Sequence, residues 1–477
     1  MKNKTSEELL SKLEYTNESA WDTYGSKKKD KIFDFAEGYK KFLNDGKTER
    51  ECVLASVKLL EKSGFENISN KTELTAGDKI YKVIRNKGLI AAVVGTEPIL
   101  DGMNILGAHI DSPRIDLKPM PLYEDADMAL LKTHYYGGIK KYQWTTIQLA
   151  IHGVLYNRDG EKISVCIGED DADPVFTINE LLVHLSQEQM ARKAAEAVKG
   201  EELNVLVGGL PVDDKDAKNR VKLAILKLLN EKYGITERDF ITAEFVLVPA
   251  NKARDIGFDR AFIGSYGQDD RVCAYTALSA VLKVKNPERT SVCMFSDKEE
   301  VGSIGNTGAK SQLYENVFRE MIMKINGQCS EWDLRQCVDA SHMLSSDVTA
   351  AFDPTYASAY DKLNTAYAGK GVCLLKYTGS RGKGGANDAH CEFFNEVSRV
   401  FDKNNIPWQT GELGRVDLGG GGTIAADMAN TGMNVIDCGV PVLSMHAPLE
   451  VTSKVDVYST FEGFLTFLKK MKKDIDA

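Results

Sequence analysis

Residues 292–304 read VCMFSDKEEVGSI, an apolar run that ends abruptly in two adjacent glutamates, Glu299 and Glu300. An apolar run of this length, ended by polar residues and glycine, is typical of a buried strand. Two like charges at the mouth of a strand raise the free energy unless a positive charge lies between them. The stretch therefore predicts a strand inside a sheet, with a cation bound where that strand ends.

Strand-like and helical patterns alternate on both sides of this stretch. Helical periodicity appears in DKIFDFAEGYKKFLND (30–45) and in TERECVLASVKLLEKSG (48–64), which closes on a helix-stopping glycine. GLIAAVVG (88–95) and MNILGAHID (103–111) are strand-like runs separated by turn residues. The alternation resumes after FVLVPA (245–250), so the chain is predicted to form an α/β core.

The residues between about 132 and 249 have a different pattern. They contain the short alternating segments IQLAIHGVLY and KISVCIG, an acidic loop, and the polar helical stretch SQEQMARKAAEAVKG (186–200). A chain of 477 residues is too long for one ordinary core. We therefore predict a catalytic domain made of residues 1–131 and 250–477, interrupted by a smaller β-rich domain at residues 132–249.

Composition excludes several classes of protein. The net charge is −9 with acidic and basic residues mixed along the chain, which argues against nucleic acid or a membrane surface as the main partner. The N-terminal stretch has no apolar core of signal-peptide length, and no later stretch is long enough for a spanning helix. The nine cysteines are scattered without a C-x-x-C pair. We expect a cytoplasmic protein with reduced thiols.

Polar residues that end apolar segments form the candidate site. Because the carboxyl ends of strands line the ligand crevice of an open α/β sheet, we expect these side chains to converge. Taken singly, a strand-end histidine is more often structural, and paired aspartates before a helix are usually caps. Together they form the mixed nitrogen and oxygen set that suits Zn²⁺, Mn²⁺ or Co²⁺. The set comprises His109, Asp111, Asp269, Asp270, Glu299, Glu300, Asp347 and His446.

The ordered motifs H-x-D, Q-D-D-R, E-E-V-G-S, S-D-V and M-H resemble the M18 family of aminopeptidases, the aspartyl aminopeptidase and aminopeptidase I group. The resemblance covers essentially the whole chain. It implies a mixed-sheet zinc-exopeptidase core with helices on both faces, an inserted dimerisation or lid domain, and removal of an N-terminal residue from peptides by metal-activated water. No G-x-S-x-G elbow suggests a competing serine hydrolase.

The resemblance also implies a role for each motif residue. Asp269 bridges two metal ions, most simply zinc. His109 and Asp347 complete one ion, and Glu300 with His446 complete the other. Glu299 is the general base, and Asp111 fixes the tautomer of His109.

Further matches to the family concern substrate specificity and assembly. Lys376 matches the family lysine that pairs with an acidic substrate side chain, and Gly420 and Gly421 belong to a glycine-rich turn that lines the family's substrate pocket. The sequence departs from the aspartyl-selective pattern at Ala350 and in YTGSRGKGG (377–385), so acidic and leucine-like preferences both stay open. His184 resembles the histidine that reaches a neighbouring subunit's active site, which implies a homo-oligomer, a tetrahedral dodecamer of dimers.

Two other functions are compatible with the sequence. One is a clan-related amide deacylase acting on N-acyl amino acids, which a panel of aminoacyl and N-acyl substrates separates from an aminopeptidase. The other is a non-enzymatic shell protein with a degenerate site, against which the intact set of ligand residues argues.

Overall fold

The computed structural model describes the backbone of residues 2–473 and the side chains of residues 6–473. Residues 1 and 474–477, the outermost ends of the two predicted catalytic segments, lie outside the described residues. Within residues 2–473 there are twelve α-helices. They are α1 Lys2–Leu13, α2 Ala20–Asp45, α3 Glu49–Lys62, α4 Gln187–Met190, α5 Ala194–Ala197, α6 Arg220–Tyr233, α7 Gln268–Lys283, α8 Gln312–Asn326, α9 Glu331–Asp339, α10 Cys391–Lys403, α11 Ile424–Ala429 and α12 Lys454–Lys470.

The same part of the chain forms twenty-three strands. In chain order they are β1 Glu66–Asn67, β2 Lys79–Ile84, β3 Gly88–Val93, β4 Met103–His109, β5 Arg114–Asp125, β6 Met128–Tyr136, β7 Leu149–Tyr156, β8 Lys162–Ile167, β9 Thr177–Ile178, β10 Val205–Gly208, β11 Glu244–Pro249, β12 Arg254–Ile256, β13 Phe262–Ser265, β14 Thr290–Ser296, β15 His342–Ser345, β16 Thr349–Ala350, β17 Val372–Leu375, β18 Gly379–Ser380, β19 Trp408–Thr410, β20 Gly420–Gly421, β21 Asn434–Gly439, β22 Pro441–Leu443 and β23 Glu450–Ser453.

A nine-stranded mixed sheet forms the centre of the core, in the order β1-β2-β3-β14-β4-β15-β21-β17-β19. The quoted stretch supplies β14, which pairs parallel to β4 and antiparallel to β3. Successive residues of β14 alternate between two apolar clusters, with Cys293 and Phe295 in one and Val292 and Met294 in the other. Because successive strand residues face opposite sides of a sheet, both faces are buried.

Helices cover both faces of this sheet. Residues of α2, α3, α7, α10 and α12 contribute to one apolar cluster, and residues of α8, α9 and α11 contribute to the other. The predicted helices at 30–45 and 48–64 appear as α2 and α3, and α3 begins with a capping box between Thr48 and Glu51. The predicted fold class, a mixed α/β core with helices on both faces, is confirmed.

Residues 114–249 build a separate seven-stranded sheet, in the order β8-β7-β11-β5-β6-β10-β9, with its own apolar core. Residue 132 lies inside β6, and β5 begins at Arg114, so this sheet takes in more of the chain than the predicted insertion. A five-stranded sheet, β12-β13-β23-β22-β16, and the β18–β20 ribbon complete the strand pairing in the described chain.

The predicted helical stretch 186–200 forms only the four-residue helices α4 and α5, and most of its side chains are exposed. A polar segment with no apolar face to bury gains little from extending a helix. No helix within residues 2–473 combines the length and the apolar character needed to cross a membrane.

Candidate metal centre

The ends of three parallel strands bring the predicted site together. In the sheet order β14-β4-β15, Ser296 at the end of β14 pairs with His109 at the end of β4, while Ser345 at the end of β15 pairs with Gly107. The segments after these strands carry Asp111, Glu299, Glu300 and Asp347. Their convergence is the expected consequence of parallel strands ending at one edge of a sheet.

Asp269, in the first turn of α7, contacts both histidines. Its Oδ1 lies 3.1 Å from Nε2 of His109 and its Oδ2 lies 3.2 Å from Nε2 of His446. Although burial disfavours the charged form, hydrogen bonds from His109 and His446 hold the pKa of Asp269 well below its usual range. The two oxygens of one carboxylate therefore face two separate nitrogen donors.

Each histidine also has a second carboxylate neighbour. Asp347 Oδ1 lies 3.7 Å from Nε2 of His109, and Glu300 Oε2 lies 3.4 Å from Nε2 of His446. The side chains of His109, Asp269 and Glu300 are almost fully buried, whereas His446 is 33% exposed. The structure thus forms two adjacent groups, each with one imidazole and two carboxylates, which share Asp269.

Several carboxylate oxygens in this space are buried without a polar partner. Within residues 6–473, Glu300 Oε1 and both carboxylate oxygens of Asp270 are buried without a hydrogen-bond partner. Burial raises the pKa values of Glu300 and Asp347, and the Asp269 charge raises both further. Buried carboxylates of this kind are stabilised by metal ions, and the donor set of imidazole and carboxylate suits zinc. The residues present therefore fit divalent ions.

Asp111 contacts the ring of His109 and the backbone of Glu299 and Glu300. Its Oδ1 lies 3.2 Å from Nδ1 of His109 and accepts a hydrogen bond from the backbone N–H of Glu299 at 3.1 Å. Its Oδ2 accepts from the backbone N–H of Glu300 at 3.3 Å and from the Tyr136 hydroxyl at 2.8 Å. A carboxylate at Nδ1 favours the Nδ1–H tautomer of His109, whose Nε2 lone pair faces Asp269 and Asp347 and can bind a metal ion.

The two glutamates occupy a single 3₁₀ turn, Glu299–Val301, which directly follows the β14 segment. Glu300 faces His446, while Glu299 lines the cleft beside the centre. Burial raises the pKa of Glu299 to about 8, an effect that the nearby His109 charge opposes and the surrounding carboxylates increase. A carboxylate so placed can exchange a proton with a molecule in the cleft near neutral pH.

Asp270 offers another possible ligand beside His109 and Asp347. Its carboxylate lies close enough to His109 and Asp347 for the three side chains to hold one ion. The second possible grouping combines His109, Asp269 and Glu300. The two carboxylate oxygens of Asp269 face different histidines, Oδ1 toward His109 and Oδ2 toward His446.

Sequence reasoning missed Glu450, the first residue of β23. Its Oε2 accepts from the backbone N–H of Gln268 at 2.6 Å and of Asp269 at 3.0 Å, and its Oε1 accepts from the backbone N–H of His446 at 2.8 Å. Glu450 is fully buried, and burial raises its pKa to about 8. The only sequence signal was an acidic residue four positions after His446.

The centre opens into a cleft of about 890 Å³. Gly420 and Gly421 line it and pair, as β20, with Gly379 and Ser380 of β18. Its lining includes Asp269, Glu299, Glu300, Asp347 and His446 together with three cations, Arg381, Lys383 and Arg415.

Lys376 is not among the residues that line this cleft. Its Nζ lies 3.4 Å from Oδ1 of Asp388, and its side chain is 49% exposed. The neighbours Leu375 and Tyr377 do line the cleft. Lys376 therefore pairs with Asp388 in this structure, and its contact with a substrate side chain stays a prediction.

His184 lies in a different part of the molecule. It occupies the exposed 3₁₀ turn Val183–Leu185, within the segment that joins β9 to α4, and does not line the cleft of its own chain. The surrounding side chains of Leu182, Val183 and Leu185 are 53%, 77% and 68% exposed. An exposed apolar segment of this kind is typical of a protein–protein contact.

Comparison with known proteins identifies a family model and relatives that match this chain. The family model for the aminopeptidase I zinc metalloproteases (M18) matches residues 42–468. A probable M18 family aminopeptidase 1 of Clostridium acetobutylicum is 53% identical over 95% of this chain and 98% of its own. A probable M18 family aminopeptidase 1 of Thermotoga maritima is 45% identical over 93% of this chain and 98% of its own.

Solved structures show the same fold. The crystal structure of an M18 aminopeptidase from Thermotoga maritima has a TM-score of 0.93 at 44% identity, covering 96% of this chain and 100% of that one. The crystal structure of aminopeptidase I from Clostridium acetobutylicum has a TM-score of 0.90 at 51% identity, with the same coverage.

Proposed function

The chain belongs to the M18 family of zinc metallo-aminopeptidases, which are hydrolases, and from this premise we propose that its centre binds two divalent ions and releases the N-terminal residue of peptides. Zinc is the first candidate for both ions, with manganese and cobalt as alternatives. The observation that carries the proposal is Asp269, whose two oxygens face two histidines at 3.1 and 3.2 Å.

His109 and Asp347 would hold one ion, and His446 and Glu300 would hold the other. One oxygen of Asp269 would serve each ion, which its contacts with His109 and His446 support. Asp111 and Glu450 hold these ligands in place through His109 and through the backbone of Asp269 and His446.

The chemistry of the chain's own residues then follows. When bound, a pair of divalent ions lowers the pKa of water and stabilises negative charge on a carbonyl oxygen. Glu299, in the cleft beside the ligands, takes a proton from the attacking water and returns it to the amine that leaves. Burial favours its neutral form, which suits a group that must hold this proton between the two steps.

Substrate selection takes place in the cleft. A free α-amino group is attracted to the carboxylates beside the centre, which explains cleavage at the N-terminus rather than inside a chain. Acidic or neutral N-terminal residues are both compatible with the lining, since Arg381, Lys383 and Arg415 lie beside apolar groups and the glycine-rich β20.

We further propose that the chain works as a homo-oligomer, a tetrahedral dodecamer of dimers. The exposed apolar turn around His184 supports this, because it needs a partner surface and would deliver a histidine to it. A solved relative of the same fold at 23% identity, S. cerevisiae mApe1, is described as a dodecamer.

The domain division and the compartment are proposals as well. We propose that residues 114–249, which form one sheet with one apolar core, are the unit that interrupts the catalytic domain. We propose a cytoplasmic location, because all nine cysteines are free thiols and a reducing compartment keeps them so.

A substrate and metal scan tests the proposal. Metal-free protein is supplied separately with zinc, manganese and cobalt, and each form is assayed on aminoacyl substrates with varied side chains and on N-acyl amino acids. We expect two bound ions per chain and hydrolysis of aminoacyl substrates alone. Hydrolysis confined to N-acyl substrates would identify a deacylase, and an inactive protein without bound metal would identify a non-enzymatic chain.

A further inference from the structure

A second cluster of metal-ligating side chains lies where the seven-stranded sheet meets the core. It combines Glu51 from α3 with His152 from β7 and Cys166 from β8. One ligand atom of each of these residues lies within 4.8 Å of the others. None of the three lines the catalytic cleft, and the mechanism above uses none of them.

Strand pairing fixes two members of this cluster. His152 and Cys166 are direct cross-strand partners on the antiparallel strands β7 and β8, so their side chains project from the same face of the sheet. β8 is the edge strand, and Cys166 is exposed there while His152 is buried. The sheet thus holds a thiol and an imidazole side by side with access from solvent.

The core supplies the oxygen ligand. Glu51 Oε1 lies 2.7 Å from Nδ1 of His152, while its Oε2 accepts from the backbone N–H of Thr48 and caps α3. On the other side of the ring, Glu169 Oε1 lies 3.0 Å from Nε2 of His152. One ring nitrogen of His152 can therefore bind an ion while the other keeps a carboxylate partner, the usual arrangement for a ligating histidine.

The local charge favours a divalent cation. Glu51 and Glu169 bring two negative charges, and Lys47, whose Nζ lies 2.6 Å from Glu169, offsets one of them. With Cys166 bound as a thiolate, Glu51, Glu169, Lys47 and Cys166 together have a net charge of −2, which one divalent ion balances. Thiolate, imidazole and carboxylate together select a borderline-soft ion such as zinc over magnesium or calcium.

We propose that Cys166, His152 and Glu51 form a third metal site, specific for zinc-class ions, which ties the seven-stranded sheet to α3 of the core. The ion replaces the direct contact between His152 and Glu51 and leaves the Glu169–Lys47 pair beside it. Its role is structural, because its three ligands come from the two units that it joins and not from the cleft.

Cobalt spectroscopy separates this site from the catalytic centre. The proposed catalytic ligands are imidazoles and carboxylates, so cobalt bound there gives no thiolate charge-transfer band. Metal-free protein is titrated with Co²⁺ and followed in the near ultraviolet. We expect such a band in the unmodified protein and in Cys329→Ala, a control at a partly exposed cysteine with no histidine ligand nearby.

The band should disappear in Cys166→Ala, which should also bind one zinc ion fewer per chain in equilibrium dialysis and keep its aminopeptidase activity. Substitution at an exposed position of an edge strand leaves the fold intact, which a thermal melt of the metal-free protein verifies. A wild-type protein without the band, or a band that persists in Cys166→Ala, overturns the proposal whatever the activity of the catalytic centre.

Discussion

Glu299 and Glu300 are adjacent in one 3₁₀ turn, but they face different partners. Glu299→Gln keeps the shape of the side chain and removes the proton acceptor, so we expect kcat to fall by about 10²–10⁴ while both ions stay bound. Glu300→Gln removes a charged ligand next to His446, so we expect weaker binding of one ion and partial rescue by added metal. Metal stoichiometry and kcat across a metal titration measure both effects.

The opposite pattern contradicts these assignments. If Glu299→Gln loses an ion and regains activity when metal is resupplied, while Glu300→Gln keeps both ions, the two roles are exchanged.

Glu450 holds three backbone N–H groups, and a glutamine there can accept with only one oxygen. Glu450→Gln leaves at least one of these buried donors unsatisfied, at a cost of about 1–3 kcal/mol. Because the donors belong to the segments that carry Asp269 and His446, we expect metal affinity to fall by about 10–100-fold. Equilibrium dialysis with zinc measures it.

Thr452→Val is the matched control for Glu450→Gln. Thr452 lies on the same strand, is buried, and donates to the side chain of Gln268 at 2.6 Å rather than to the ligand backbone. We expect Thr452→Val to lower the melting temperature without changing zinc affinity. Equal losses of zinc affinity in both variants would show that Glu450 only stabilises the fold.

We expect Arg381 and Lys376 to differ in their effect on substrate selectivity. Arg381 lines the cleft and makes no ion pair within the described side chains, whereas Lys376 pairs with Asp388 outside it. A charge-assisted contact contributes about 1–3 kcal/mol, so Arg381→Leu should lower the ratio of kcat/KM for acidic over leucine substrates by about tenfold. Lys376→Leu should leave that ratio unchanged.

Steady-state kinetics on paired aspartyl and leucyl substrates measures this ratio. A fall in Lys376→Leu alone would mean that Lys376 leaves Asp388 and enters the cleft when substrate binds.

At the scale of an element, the ribbon of β18 and β20 needs a glycine at position 420. Gly420 has a φ of +117°, and a Cβ there would lie 2.3 Å from the carbonyl oxygen of Gly379, whereas a Cβ at Gly421 meets open space. Gly420→Ala therefore forces the ribbon apart, with a strain of about 1–3 kcal/mol. We expect about a tenfold lower kcat/KM through a higher KM, with metal content unchanged.

Gly421→Ala lines the same cleft and is the control. It should keep kcat/KM within about a factor of two of the unmodified protein, since surface substitutions cost little. Similar losses of kcat/KM in the two variants would mean that any added methyl group obstructs the cleft, and that the backbone geometry of Gly420 is not the cause.

At the scale of the whole molecule, the exposed turn around His184 predicts dependence on assembly. Val183→Asp places a charge in this apolar turn, so we expect smaller assemblies in sedimentation, a lower kcat, and unchanged metal content. Trp332→Asp, a comparable change at a 73% exposed side chain in the first turn of α9, should remain assembled. A monomer that is fully active at nanomolar concentration would refute this prediction.

The sequence alone determined the elements and the residue types of the centre. Hydrophobic periodicity is a local property, so β4, β14, α2 and α3 could be predicted from short windows. Parallel strands end at one edge of a sheet, so polar residues that close such strands could be grouped before any distance was known. The grouping of His109, Asp269, Glu300, Asp347 and His446 followed from this rule and the family resemblance.

Contacts between segments that are far apart in the sequence could be seen only in the tertiary structure. The backbone hydrogen bonds of Glu450 join segments more than 180 residues apart, and no local pattern encodes them. Lys376 directly follows β17, and the packing of this segment pairs its side chain with Asp388 instead of placing it in the lining of the cleft. The approach of Glu51 to His152 and Cys166 likewise joins a helix of the core to a sheet that interrupts it. Such contacts depend on the relative placement of whole elements, which the burial of their apolar faces sets and short stretches of sequence do not.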